Sequence, residues 1–357
     1  TRTAYPAVEV AVDVAPDTLT TTMPRFATQS PDGQSVAFES MGRLYLKRNG
    51  EKAKRLTRDT ATAVEFSPAF SPDGKEVYYL TWSDDELGSI RKVSARGGRS
   101  KEVLATPGHY VDLSVSSDGE TLLFAKLSGS SLTNPHWGKN PGIYILNLSD
   151  EEAQFVSRRG RSPHFGPGDR VYVTERVSSA VGRGSDDASS ELISMNHDGE
   201  DVRTHASSPL ATVIRMSPAG KHVAYREAGR LYVAALPMTG RSIDLAAIEN
   251  TASGAAAYAT ERVSAPGGEF IQWSADGSSL TWSVGPRFFQ YIVNGSLGSG
   301  TNDAQQIADL SLSVDSDRPQ GTVAFTNARV ITMNSARDVI DNGVVIVEDN
   351  RIAVLGA

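Results

Sequence analysis

Ser30-Pro31-Asp32-Gly33 and Ser71-Pro72-Asp73-Gly74 are two copies of one tight-turn sequence, and short apolar runs flank each copy. Proline presets φ, aspartate bonds to its own backbone and glycine adopts positive φ, so this sequence favours a turn between two strands. Four looser copies follow, at Ser116-Ser117-Asp118-Gly119, Gly166-Pro167-Gly168-Asp169, Ser217-Pro218-Ala219-Gly220 and Ser274-Ala275-Asp276-Gly277. The chain is therefore built from a repeated unit.

The spacing of the turns matches the length of a propeller blade. The fourth positions of successive turns are 41, 45, 50, 51 and 57 residues apart, and blades of about 40–50 residues contain four short strands. Each unit has a short strand before its turn and an alternating strand after it, such as Val36-Ala37-Phe38. A third strand often follows, as in Arg43-Leu44-Tyr45-Leu46. The sequence predicts an all-β fold, a six-bladed β-propeller.

The repeats resemble those of TolB-type propellers. The resemblance covers residues ~20–295 and depends on the Ser-Pro-Asp-Gly turns, a following Leu-Tyr or Ile-Tyr strand and an Arg-Leu-Thr ending. It implies a scaffold that contacts envelope proteins or glycans, in the periplasm or secreted from the cell. A propeller also needs ring closure, which hides sheet edges. We expect the alternating residues Val8, Val10, Val12 and Val14 to pair into the last blade, or residues Ile307 to Val314 to do so instead.

Composition restricts the chemistry and the partners. The 357 residues carry a net charge of -7, which argues against a nucleic-acid partner. There is no cysteine, so disulfides, cysteine metal sites and cysteine nucleophiles are excluded. No apolar run has the ~20 residues that a membrane-spanning helix needs. Because the sequence begins at Thr1 without an initiator Met or an apolar leader, we expect a mature or trimmed product.

The final stretch follows a different pattern. Three β-rich runs occupy residues 321–357, with turn signals at Asn334-Ser335, Asn342-Gly343 and Asp349-Asn350. The text from Asn327-Ala328-Arg329 to Arg351-Ile352 resembles the N-terminal strands of the amidohydrolase superfamily, which begin a small β-sandwich beside a catalytic barrel. We therefore expect three regions: a propeller over 1–314, a linker over 315–320 and an incomplete amidohydrolase domain over 321–357.

The amidohydrolase resemblance implies chemistry that these residues do not carry. In that family a His-x-His pair, with later His and Asp residues, holds one or two divalent ions that activate water. The six histidines here do not form that motif, so we assign no catalytic residue, metal ligand or cofactor to the chain. The expected metal, zinc, would belong to a barrel that follows. The expected partner is the remainder of that domain, in cis or as a separate fragment.

Loop lengths indicate one side of the propeller. The link between the first two strands of a blade is always the short turn. The link between the second and third strands is long at Trp82 to Gly88, Leu127 to Pro141 and Arg176 to Ser190. Long loops carry function more often than tight turns do, although they can also be plain solvated loops. The candidate binding residues on this side are Trp82, Asp84, Asp85, Glu86, His109, His136 and Trp137.

Two functions remain open on the sequence alone. The parent protein is either a metal-dependent amidohydrolase that cleaves C–N bonds of an amide, cyclic amide or peptide-like substrate, or a non-enzymatic binding scaffold of TolB type. In the first case the propeller is an accessory domain that docks or gates a protein or peptide-like ligand. In the second case the tail has no evident use.

Overall fold

A computed structural model describes residues 16–58, 63–128, 140–178, 188–237, 240–245, 258–264, 267–293, 297, 304–316, 320–349 and 351–356. Within these residues the chain forms thirty strands and no helix. The all-β prediction is confirmed.

The strands are numbered in chain order. Strands β1 to β9 comprise Thr18–Thr21, Arg25–Gln29, Ser35–Ser40, Arg43–Arg48, Lys54–Arg55, Val64–Phe70, Glu76–Trp82, Gly88–Ser94 and Lys101–Gly108. Strands β10 to β19 comprise Tyr110–Val115, Thr121–Lys126, Gly142–Asn147, Gln154–Ser157, Arg161–Gly166, Arg170–Ser178, Ala188–Met195, Arg203–Ser208, Ala211–Met216 and His222–Glu227. Strands β20 to β30 comprise Arg230–Ala235, Ile243–Asp244, Thr260–Arg262, Glu269–Trp273, Ser279–Val284, Arg287–Ile292, Gln305–Asp309, Leu312–Asp315, Thr322–Ile331, Val339–Glu348 and Arg351–Gly356.

The chain divides into two compact units. One is Thr21–Ser311, and the other combines Thr1–Thr20 with Leu312–Ala357. The expected domain limits of 1–314 and 321–357 remain a prediction, and the boundary between the compact units falls at Ser311 and Leu312.

The larger unit contains six antiparallel sheets in its described residues. Sheets 1 to 6 are β2–β5, β6–β9, β10–β13, β14–β17, β18-β19-β20-β22 and β23–β26. Each of the six predicted turns connects the first two strands of one sheet. The first strands of neighbouring sheets also contact one another, as β2 contacts both β6 and β23. Consecutive meanders arranged in this way form a β-propeller, with the first strand of each sheet nearest the axis.

A side-chain clasp holds the predicted turns. In sheet 2 the Ser71 hydroxyl donates to Asp73 Oδ1 at 2.6 Å, and that oxygen also accepts the Lys75 N–H at 3.0 Å. The Ser71 oxygen accepts the Glu76 N–H at 3.0 Å. The same bonds recur around Asp32, Asp118 and Asp276. The donors favour the charged carboxylate, and the Ser274 hydroxyl, followed by Ser278, lowers the pKa of Asp276 to about 2.

The core lies between the sheets. In β7, Tyr79 packs against residues of sheet 1, and its neighbour Leu80 packs against residues of sheet 3. Equivalent apolar clusters join sheets 3 and 4, 4 and 5, and 5 and 6. Because side chains alternate along a strand, each sheet is apolar on both faces and is buried on both sides.

The ring closes between sheets 6 and 1. The rings of Phe26 and Phe270 are 4.9 Å apart, the Thr28 hydroxyl donates to Gln272, and the Gln290 amide donates to Gln29 at 3.4 Å. The predicted pairing of Val8 to Val14 lies outside the described residues. The alternative, Ile307 to Val314, is two strands: β26 is the fourth strand of sheet 6, and β27 pairs with β1 in the smaller unit.

One segment extends a neighbouring sheet. Strand β21, Ile243–Asp244, pairs in parallel with β17 and becomes the fifth strand of sheet 4. The burial of Ile243 beside Leu192 and Ala206 explains the pairing, since an apolar side chain at this edge gains burial as the backbone gains hydrogen bonds.

The tail forms the three-stranded meander β28-β29-β30. The turn that we predicted at Asn342-Gly343 was wrong, because β29 runs through both residues as a bulge. Asn342 adopts φ 56°, and a side chain at Gly343 would meet Val330 at 3.0 Å. The sheet exposes large apolar side chains, including Phe325 at 57% and Ile352 at 69% of their surface.

We expect the turn clasps to make stability depend on pH. A carboxylate whose pKa is lowered by folding contributes stability above its ordinary value of 3.8, and that stability is lost as the pH falls through the folded value of about 2. Asp276→Asn should therefore be less stable than the natural chain at pH 6, by less than about 1 kcal/mol because the site is exposed. The deficit should shrink below pH 4, as measured by urea unfolding.

The fifth turn offers a matched substitution that should stabilise the protein. Ala219 stands where four of the other five turns have aspartate, and the Ser217 hydroxyl oxygen already accepts the His222 N–H at 3.1 Å. Ala219→Asp should raise the unfolding midpoint at pH 6 and lose that gain near pH 2. Equal effects of both substitutions at pH 6 and pH 3 would contradict the charged clasp.

Candidate functional site on the long-loop side

The hairpin between β7 and β8 is an ordered loop that presents Trp82 and three carboxylates. Ser83 and Leu87 exchange backbone hydrogen bonds of 3.1 and 2.9 Å across it. The Ser83 hydroxyl oxygen accepts the Glu86 N–H at 3.0 Å, which fixes the turn. Asp84, Asp85 and Glu86 are exposed at its tip. The hairpin is therefore a defined projection on the long-loop side.

Two glycines fix the base of this hairpin. Gly88 and Gly108 are paired between β8 and β9, and a Cβ atom on Gly88 would lie 2.3 Å from the Gly108 carbonyl oxygen and 2.9 Å from that of Thr81. Both partners are backbone atoms, so only a residue without a side chain allows this approach. The glycine pair thereby holds Trp82 close to the residue that follows Gly108, which is His109.

Trp82, Asp84 and His109 form one cluster. The Trp82 and His109 rings are 4.8 Å apart at 45°, and the Trp82 indole N–H donates to Asp84 Oδ1 at 3.1 Å. Desolvation lowers the pKa of the His109 imidazole, although its side chain is still exposed. The imidazole is thus neutral at pH 7, and it offers one donor and one acceptor beside an aromatic surface.

Asp85 and Glu86 belong to a different part of the site. They line an open pocket of about 610 Å³ formed by sheet 2 and its β7–β8 hairpin, on the other face of β7 from Trp82. The alternation of β7 separates the two groups, because Thr81 points into the pocket and the next residue points towards sheet 3. The structure therefore divides the predicted residues into a Trp82 cluster and a pocket rim.

The pocket contains polar groups that the sequence analysis did not single out. The Thr81 and Ser89 hydroxyls are 2.8 Å apart, and Arg91 donates to Ser100 at 2.8 Å and to Glu102 at 3.4 Å. Glu65 is buried at its floor. The strand alternation after Tyr79 would have identified the inward-facing Thr81, since every second residue faces sheet 1.

Buried Glu65 is part of the scaffold of this pocket. One of its oxygens accepts the Leu44 N–H at 3.0 Å, and the Thr57 hydroxyl donates to the carboxylate at 2.7–2.8 Å. A buried carboxylate with these partners joins sheets 1 and 2 at the pocket floor. The exposed rim groups are thus the ones open to a ligand.

Two predicted binding residues, a metal site and a membrane span remain to be compared with the structure. His136 and Trp137 lie outside the described residues. Within the residues that the structure describes, no group of three histidine or acidic side chains is placed to hold a metal ion, and no helix is long and apolar enough to cross a membrane.

Ser194 contacts His205 at 2.8 Å but is completely buried and also accepts a bond from Arg170, so this pair is structural.

The sequence matches no protein-family model and no curated protein. Among solved structures, the chain is similar to an oligogalacturonate lyase in complex with manganese, with 16% identity over 82% of this chain and 79% of the other and a TM-score of 0.50. It is also similar to a protein provisionally named a gluconolactonase, with 13% identity over 79% and 94% of the chains and a TM-score of 0.50. The fold is a β-propeller. At these identities the likeness concerns the fold alone.

TolB of Acinetobacter baumannii is a further propeller in this set, with 17% identity over 80% of this chain and 65% of the other and a TM-score of 0.49. The likeness does not extend to any particular site residue. The function therefore has to be argued from the geometry of the long-loop side.

We predict that the glycine pair is essential for the hairpin. Gly88→Ala should destabilise the propeller by about 1–3 kcal/mol, as overpacking of a close contact does. The measurement is urea unfolding followed by intrinsic fluorescence. Gly356→Ala is the control, because a Cβ there meets nothing within 4 Å, and it should change the midpoint little. A Gly88→Ala variant as stable as the natural chain would show that β8 and β9 can move apart without loss of stability.

The Trp82 cluster predicts a measurable shift in the titration of His109. Trp82→Ala removes part of the apolar surface that desolvates the imidazole, so the pKa of His109 should rise towards 6.5. An NMR titration of the histidine ring protons measures it. Lys75→Ala, on the turn side, is the control and should leave that titration unchanged. An unchanged pKa in Trp82→Ala would mean that the indole does not shield His109.

Proposed function

We propose that the propeller is a binding module that takes a protein or peptide-like ligand on its long-loop side. The observation that carries this proposal is the Trp82–Asp84–His109 cluster beside an open pocket lined by hydroxyl, carboxylate and guanidinium groups. Clefts with an aromatic surface and a few placed polar groups are typical binding sites. The opposite side carries the six short turns together with the links between the third and fourth strands of each sheet.

The chemistry of the two groups suits an extended peptide. An indole buries a large apolar area while its N–H is satisfied by Asp84, so a ligand side chain can stack on it without loss of a hydrogen bond. The pocket next to it has donors in Thr81, Ser89 and Arg91 for backbone carbonyls, and acceptors in Asp85 and Glu86 for backbone N–H groups or basic side chains.

A second proposal concerns the parent protein. The tail meander exposes apolar side chains on strands of ten residues, as expected for the opening strands of a larger domain. Together with its sequence resemblance, this supports an amidohydrolase parent that cleaves C–N bonds, in which the propeller delivers ligand and a divalent ion, zinc, is held by residues beyond these. A periplasmic or secreted location is part of the same proposal.

The parent proposal has a direct test. A coding sequence that continues past Ala357 with a His-x-His pair, and a longer protein that retains stoichiometric zinc, would support it. A reading frame that ends at this tail would support the non-enzymatic scaffold instead. Neither result would affect the proposed binding side of the propeller.

The binding side is tested with two sets of substitutions. The loop set replaces Trp82 and His109 with Ala, and the turn set replaces Gln34, Lys75 and Glu120 with Ala. Peptides selected from a random displayed library on the natural chain should bind the loop set at least about tenfold more weakly, because an aromatic anchor contributes more than 1.4 kcal/mol. Their affinity for the turn set should be unchanged, as measured by calorimetry.

The opposite pattern would place the ligand on the turn side. If the loop set binds the selected peptides as the natural chain does, while the turn set does not, the proposed side is wrong. Circular dichroism of both sets checks that folding is retained.

A further inference from the structure

The first strands of the six sheets surround the propeller axis, and their residues form layers across it. Two layers are defined by distance from the turns. The mouth layer lies four positions before the first turn residue and consists of Phe26, Ser67, Asp112, Ser162, Val213 and Phe270. The middle layer lies two positions before it and consists of Thr28, Ala69, Ser114, His164, Arg215 and Gln272. The mouth layer is nearer the long-loop side by about 6–7 Å.

Bulges shape the mouth layer. Five first strands shift register against the second strand across this layer, and sheet 5 shifts between Ala211 and Val213. Phe26 and Phe270 adopt φ values of 53° and 55°, in the left-handed region that residues with a side chain rarely adopt, and Ser67, Asp112 and Ser162 share this conformation. The bulge is therefore a recurrent feature of the inner strands, and sheets 6 and 1 differ from the others by the aromatic side chain that it carries.

One wall of the mouth is aromatic. Phe26 lies 4.9 Å from Phe270 and 5.9 Å from Phe66, measured between ring centroids, and all three side chains are only half-buried. Phe270, Phe26 and Phe66 come from sheets 6, 1 and 2, respectively. The opposite wall is polar, because Asp112 of sheet 3 accepts the Ser162 N–H of sheet 4 at 3.2 Å. The channel is therefore amphipathic.

Arg215 is a partly buried cation in the layer below. Its side chain is half-buried, and burial lowers the pKa of its guanidinium while Asp112 acts in the opposite direction. Among the described residues no acceptor lies within hydrogen-bond distance of the guanidinium, and no carboxylate lies within 4.0 Å of it. A partly buried guanidinium without a hydrogen-bonded partner in the protein needs an anion or water to satisfy its donors.

Within the middle layer Arg215 is the group that can bind an anion, because the neighbouring His164 is neutral and already accepts a hydrogen bond. Burial lowers the pKa of His164 to about 3, and its Nε2 already accepts the Met216 N–H at 2.9 Å. Two further arginines, Arg25 and Arg161, are exposed one position before the mouth layer. Glu269, in the same position of sheet 6, is paired with Arg226, and buried Glu39 lies opposite Arg25. The mouth thus favours an anion.

We infer that the central channel recognises the carboxyl-terminal residue of a peptide ligand, with its carboxylate on Arg215 and its apolar side chain against Phe26, Phe66 and Phe270. The cations at and below the mouth complement a carboxylate. A chain terminus brings its carboxylate to the axis end-on, whereas an internal segment needs an Asp or Glu side chain and room for the chain on both sides of it. The inference rests on the proposed binding function of the long-loop side and adds the ligand class.

The test uses two probes that differ in one group. N-acetyl-Ala-Ala-Phe with a free carboxylate and the same peptide with a carboxyl-terminal amide are titrated against the 357-residue chain, with NMR line shifts as the readout. The free acid should bind at least tenfold more tightly than the amide. Arg215→Gln should remove this difference, and Phe270→Ala should weaken both probes by a similar factor.

Matched variants and alternative outcomes keep the result decisive. Arg203→Gln, on the outer strand β17, should leave both affinities unchanged, and Arg215→Lys should retain part of the preference for the acid. Equal affinity of acid and amide for the natural chain, or no binding of either, would overturn the inference even if Arg215→Gln failed to fold. Library peptides that still depend on Trp82 and His109 in that case would leave the proposed binding side intact.

Discussion

Burial of both faces of every sheet is the constraint on which this propeller depends. Alternating residues of one strand, such as Tyr79 and Leu80, pack against different neighbours. A four-stranded sheet of this kind cannot satisfy both faces alone, so each sheet is stable only between two others. Ring closure follows directly, since an open array would leave two apolar faces in water. The closing joint uses Phe26, Phe270 and a pair of glutamine-centred hydrogen bonds.

The same topology places the stabilising turns and the proposed binding residues towards opposite ends of the propeller. The first strand of each sheet runs from the long-loop side to the turn side, so the charged serine–aspartate clasps all lie at one end. The bulges that aim Phe26, Asp112 and Phe270 at the axis lie towards the other end. Rigid turns hold the inner strands in register, and the strained bulges are tolerated because that register is fixed. The strained bulges of the inner strands thus lie nearer the long-loop side than the clasps do.

The sequence predicted what depends on local interactions. The turns around Asp32 and Asp73 are specified by neighbouring residues, so both the repeat and the strands beside it were readable. The bulges were not readable, because the left-handed φ of Phe26 accompanies a register shift between two paired strands and no neighbouring residue signals it. Asn342-Gly343 has the composition of a tight turn, yet strand pairing with Val330 makes it a bulge. Arg215 was missed because only its distance from Ser217, compared between repeats, places it at the axis.

The seam between sheets 6 and 1 also governs how the protein is made. Thr28 and Gln272, which hydrogen-bond across the seam, are 244 residues apart, so the joint forms only after most of the chain has left the ribosome. Until then the face of sheet 1 that carries Phe38 has no neighbouring sheet. Contacts of such long range slow folding, and an apolar face exposed throughout synthesis is a natural substrate for chaperones. Completion of the ring therefore waits for the last sheet to emerge.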